Sequence, residues 1–240
     1  DHAGATGTIV QHHAPDADVY VHERGAPHMV RPGRLLSSAR RIYGDDMDRL
    51  WGEFEAVPDG NVTVLEGGES LHIGGRRIDV EYTPGHAQHH VSYFDASSGT
   101  AFIGDVAGMR VHGSDYIVPV MPPPDVDLPG WATSLERILA RDPERIFLTH
   151  FGPAPDVNRH LSVLSERIDA FAETVRPTLG AGEQQDDAEL ASRFADKENA
   201  RMRSKAVERY WEAYERFGQP RDSWHGLARY WRKHALSGNG

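Results

Sequence analysis

Four short segments carry residue types that bind metal ions: Asp1-His2-Ala3-Gly4, Thr83-Pro84-Gly85-His86, Ile103-Gly104-Asp105 and Leu148-Thr149-His150. Each is read as the end of a strand or a turn. Three imidazoles and two carboxylates so far apart in sequence converge only if the fold brings strand ends together. Neutral imidazole and carboxylate suit zinc, or iron or manganese, with coordination positions left open. A metal so held activates water, and the chemistry predicted is hydrolysis. A carboxylate such as Asp105 can bridge two cations, offering an oxygen to each.

Taken in order, these segments resemble the metallo-β-lactamase superfamily, whose signature is His-x-His-x-Asp-His, then a His after a strand, a Gly-Asp and a final His. The match covers about residues 1 to 155 and has a glyoxalase II-like or lactonase-like flavour. The resemblance implies an αββα sandwich, an α/β (α+β) fold class, and metal ligands at Asp1, His2, His86, Asp105 and His150. It gives Asp1 a second role, orienting the attacking water, and makes Asp1 and Asp105 the catalytic pair. It implies two zinc ions per chain in the intact protein, with manganese or iron as substitutes. The activity implied is attack by metal-bound hydroxide on an ester-like bond in a thioester, a lactone or a related acyl compound. The other chemistries weighed are an iron-dependent sulfur dioxygenase and a phosphodiesterase on the same scaffold, and a non-catalytic interaction module.

The chain opens at the fifth position of the signature, so the His-x-His pair is absent from it. In the family that pair joins the equivalents of His86 and Asp105 in the first metal site. The expectation is that this is the C-terminal piece of a longer protein. A chain truly lacking that part should load metal poorly and expose a sheet edge.

The elements that must position these residues are read from periodicity. Asp18–His22, Val62–Leu65, Arg77–Tyr82 and Arg145–Thr149 read as strands, and Val91–Phe94 with Thr100–Ile103 as a hairpin. Arg34–Phe54 reads as one helix with Leu35, Ile42, Leu50 and Trp51 inward, and Trp131–Arg141 as another. Past residue 156 the character changes. Val157, Leu161, Leu164, Ile168, Phe171 and Val175 recur at helical spacing. Gly180–Asp187 reads as a linker, followed by helices over about 188–217 and 223–236 rich in Tyr and Trp. The chain is therefore divided into a sandwich portion, 1–155, and a helical extension, 156–240, that packs on the core or forms a homodimer surface.

Nine other histidines, His160 among them, read as structural or surface groups, and one of His89 and His90 is a weaker candidate to support the site. Of those nine, His112 is the one best placed to contact substrate, together with Tyr116, in a loop whose Pro119–Pro124 stretch walls the site. A net charge of −10 argues against a nucleic-acid partner. No apolar run is long enough to span a bilayer, so no membrane partner is expected. The partner expected is a small-molecule substrate, and the location expected is cytoplasmic. With no cysteine there is no thiolate ligand or thiol nucleophile.

Overall fold

The structure is a computed structural model that describes residues 2–154, 156–179 and 186–237. The expected ligand Asp1 and most of the 180–187 linker lie outside the described residues. Two compact units divide the chain, residues 1–69 and 70–240.

The first unit contains helix α1 (Thr6–His12), strand β1 (Val19–His22), helices α2 (Ala26–Val30), α3 (Gly33–Tyr43) and α4 (Met47–Trp51), and strand β2 (Val62–Leu65). β1 and β2 pair in parallel, Val19 opposite Val62. Val10, Met29 and Val57 form its small core, with Ala3, Val19, Val21 and Val62 against them. In β1 only His22 is fully buried. The long helix expected over 34–54 is two helices, because Gly44 closes α3 at φ 51° and turns the chain. Gly7 fixes how α1 docks, since a Cβ there would lie 2.0 Å from the Glu55 carbonyl oxygen.

The second unit is built on a six-stranded sheet in the order β3 (Ser70–Ile73), β4 (Arg76–Tyr82), β5 (Val91–Asp95), β6 (Thr100–Phe102), β7 (Arg145–Leu148) and β8 (Gly152–Ala154). β3 and β8 are too short and too poor in β-branched residues to be legible by alternation. β5 is antiparallel to both β4 and β6, and β6 is parallel to β7. It follows that β4, β6 and β7 run the same way and end at the same edge of the sheet. These are the strands that precede His86, Asp105 and His150.

One face of the sheet carries the register row Phe94, Ala101, Ile146 and Ala154, all buried. Helices α5 (Leu128–Ala140) and α6 (Val157–Val175) join the same core through Trp131, Leu135, Ile138, Leu161, Leu164 and Phe171. Both begin at an Asp cap: Asp127 accepts from the Gly130 N–H and Asp156 from the Arg159 N–H. The six apolar positions expected to face inward on α6 are all buried. Helices α7 (Asp187–Lys205), α8 (Trp211–Phe217) and α9 (Pro220–Ser237) extend this core with Phe194, Met202, Tyr214, Trp224 and Tyr230. Most of the aromatic residues of the helical region are thus packing residues, while Phe217 is 44% exposed. The described residues include no helix long and apolar enough to cross a membrane.

Candidate metal centre

The segment after β4 is held so that His86 can point only one way. Thr83 is buried; its backbone N–H donates to the His90 carbonyl, and its hydroxyl bonds the His90 ring and Ser92. Gly85 has φ 141°, and a Cβ there would lie 2.5 Å from Cβ of Trp131. Glycine therefore lets α5 press directly on the loop. Ser134 of α5 donates to the Pro84 carbonyl at 2.6 Å, and the Asp127 N–H donates to the Gly85 carbonyl.

Nδ1 of His86 donates to the Val120 carbonyl at 2.7 Å. A carbonyl only accepts, so the proton sits on Nδ1, and Nε2 carries the lone pair that could hold a metal. That atom lies 3.7 Å from Oδ2 of Asp105. On the other side of the same carboxylate, Nε2 of His150 lies 3.5 Å from Oδ1. Asp105 is buried, and the two rings are largely so. Both separations exceed a normal charged hydrogen bond, which runs about 2.7–2.9 Å. They match the spacing of two donors around one ion: ligands about 2.1 Å from a tetrahedral zinc stand about 3.4 Å apart. The donor set fits a divalent cation, with one carboxylate oxygen facing each imidazole.

Asp105 lies in a single 3₁₀ turn, Gly104–Ala107, directly after β6. His150 follows β7 in a tight turn where Phe151 takes φ 70° and Gly152 φ 90°. A positive φ at Phe151 is uncommon for a bulky residue. Its ring packs on Phe217, which offsets the cost of that conformation.

His2 belongs to the first unit, exposed, immediately before the turn into α1. His112 is exposed. Tyr116 is buried in the core, where its hydroxyl accepts from Arg167 at 2.8 Å and its ring stands edge-on to Tyr214. Burial pushes the Tyr116 hydroxyl up to about 12. The Pro119–Pro124 stretch reaches the site through the backbone, by way of Val120 and His86.

Three supporting residues received little weight in the sequence. His90 joins the segments that carry His86 and Asp105, bonding Thr83 through Nδ1 and receiving the Val106 N–H at Nε2. Trp131 donates its indole N–H to the Val106 carbonyl at 2.7 Å, and His160 bonds the Ala107 carbonyl at 2.9 Å. One signal was present: His160 falls on the apolar stripe of its helix, between Val157 and Leu161.

The metallo-beta-lactamase superfamily pattern matches residues 1–150. A metallo-beta-lactamase fold-containing protein of Sulfurisphaera tokodaii is 32% identical over 119 residues, 50% of this chain and 44% of that protein. A hydroxyacylglutathione hydrolase of Synechococcus is 35% identical over 65 residues, 27% of this chain and 23% of its own. The matched stretches span less than half the length of these curated relatives. Among solved structures, the archaeal superfamily protein from Sulfolobus tokodaii superposes with a TM-score of 0.59 at 28% identity, covering 69% of this chain and 63% of that one. A metallo-beta-lactamase family protein from Thermus thermophilus reaches 0.66 at 19% identity, covering 98% of this chain and 72% of its own, a likeness of fold alone. With that pattern matched over residues 1–150, more than half of its length, this chain belongs to the metallo-beta-lactamase superfamily.

Proposed function

We propose that the protein is a metal-dependent hydrolase of ester-like bonds, acting on a thioester, a lactone or a related acyl compound. The observation that carries this reading is one buried carboxylate set between two imidazoles, Asp105 between His86 and His150, with a different oxygen toward each. Asp1 and His2 are assigned to the same centre on the order of the family motif, sharing a second cation with Asp105 and His150. Zinc is the metal proposed, two ions per chain in the intact protein.

A bound divalent cation lowers the pKa of a water ligand to about 7 and polarises an acyl oxygen. The protein's own contribution is positioning. Val120 fixes the His86 tautomer, the packing of Trp131 on Gly85 fixes the His86 loop, and the 3₁₀ turn aims Asp105. The hydroxyacylglutathione hydrolase likeness favours an acyl substrate. Its short reach along the chain keeps the proposal at the level of the acyl class.

The test combines metal analysis with a screen of thioesters and lactones on wild type and Asp105→Asn. The expected result is zinc in the wild type with measurable acyl hydrolysis. The Asn variant should lose at least one ion and fall roughly 100-fold or more in kcat/KM, the scale of losing a preorganised electrostatic partner. One iron per chain with no acyl hydrolysis would move the assignment to oxygenase chemistry.

A further inference from the structure

We propose that His160, on α6 of the helical region, is a positioning residue for the metal centre: it clamps the Gly104–Ala107 turn so that Asp105 faces His86 and His150. The inference rests on the metal-centre reading above and gives the helical region a part in it.

The turn has almost no freedom to adopt another path. It begins at Gly104 with φ 51° and is closed by Gly108 with φ 67°. A Cβ on Gly104 would lie 2.5 Å from Nε2 of His90, and one on Gly108 would lie 2.7 Å from the Val118 carbonyl oxygen. Inside the turn, the Gly108 N–H donates to the Asp105 carbonyl at 2.9 Å. The two peptide carbonyls that follow Asp105 are each taken by a side chain from a different helix. Trp131 of α5 donates to Val106, and His160 of α6 donates to Ala107. Leu164, one helical turn beyond His160, packs where a Gly108 Cβ would stand. α6 thus meets the turn with two residues of one face.

The chemistry of His160 fits a clamp better than a packing residue. It is 2% exposed, and burial holds its imidazole below the usual histidine range and therefore neutral. Because Ala107 offers an acceptor, the ring proton is on Nε2. Nδ1 is buried with no hydrogen-bond partner among the described residues. Burying a polar nitrogen without a partner is costly. An apolar side chain of similar shape would avoid that cost, so the gain from an imidazole here is the bond to Ala107. Groups that orient metal ligands from behind typically change metal affinity 10- to 100-fold when removed.

The experiment compares the full-length wild-type protein with its His160→Gln and His160→Met variants. The glutamine keeps an N–H near the Nε2 position, and the methionine fills the space without a donor. Zinc affinity is measured by competition with a chromogenic chelator. Amide hydrogen exchange of Val106 and Gly108 is followed on the metal-free proteins. The expected result is about 10- to 100-fold weaker zinc binding and faster exchange in the methionine variant, with the glutamine variant within a few-fold of wild type. Wild-type affinity and exchange in the methionine variant would overturn the inference. Equal weakening in both variants would also overturn it, since ring packing rather than the bond would then be responsible. If wild type binds no zinc, the metal-centre reading fails, and the exchange rates alone decide whether His160 clamps the turn. Should the methionine variant not fold, His160→Asn, too short to reach Ala107, takes its place with the same expectation.

Discussion

Asp105 sits between two imidazoles, with a different carboxylate oxygen toward each. His86 gives its Nδ1 proton to Val120 and turns Nε2 to Oδ2, while His150 meets Oδ1. The geometry depends on residues with no ligating chemistry, and Gly85 is the clearest of them. Gly85→Ala places a methyl group 2.5 Å from Trp131 at a φ that side chains rarely adopt. It should cost roughly 1–3 kcal/mol of stability and weaken zinc binding by displacing His86. Thermal unfolding of the metal-free protein and a zinc titration check the two effects separately, and an unchanged zinc affinity would show that the loop tolerates the shift. At this scale the convergence of His86, Asp105 and His150 could be read from the sequence, because each follows a strand end or sits in a turn. The supports of the turn were not. Trp131 and His160 act through peptide carbonyls, and no local pattern tells which side chain will reach a distant backbone oxygen.

The elements deliver these residues because β4, β6 and β7 share a direction. The β5–β6 hairpin sets that arrangement, and its turn is organised by one carboxylate. Asp95 accepts from the Ser97 and Ser98 hydroxyls and pairs with Arg76. Chiefly through the two serine hydrogen bonds, its carboxyl is held down at about 2, against an ordinary value of 3.8. The folded state therefore binds this proton less readily than the unfolded chain. The stabilisation is complete above about pH 4 and is lost as pH falls through about 2. Asp95→Asn should lower the melting temperature at neutral pH, and the gap to wild type should close between about pH 4 and pH 2. A gap that stayed constant over that range would refute the assignment. Strands with clear alternation or β-branched runs were legible in the sequence, as was the α6 stripe. β3 and β8 were too short to register. The single helix expected over 34–54 failed because the apolar period continues through Gly44 while the backbone turns there.

Across the whole second unit, the helical region shares its core with the sheet. Among its supports is a buried ion pair: Arg167 of α6 donates to Glu198 of α7 at 2.7 Å and also to Tyr116, with its guanidinium over the Tyr116 and Phe171 rings. Both side chains are more than nine-tenths buried. Removing one charge strands the other, so Arg167→Met should cost about 3–5 kcal/mol, whereas Arg167→Met with Glu198→Leu should recover much of the loss. Chemical denaturation of the two variants measures this, and equal loss in both would show that the charges themselves do not set the cost. The change to helical apolar spacing past residue 156 could be read from the sequence, but the sharing of a core depends on contacts far apart in sequence.

The most direct test of the central claim is zinc binding by calorimetry and metal analysis on the purified full-length protein and on its Asp105→Asn variant. The account predicts at least one tightly held ion per chain in the wild type and a large loss of affinity in the variant. Zinc binding that is absent from the wild type, or unaltered by removal of the Asp105 charge, would contradict it.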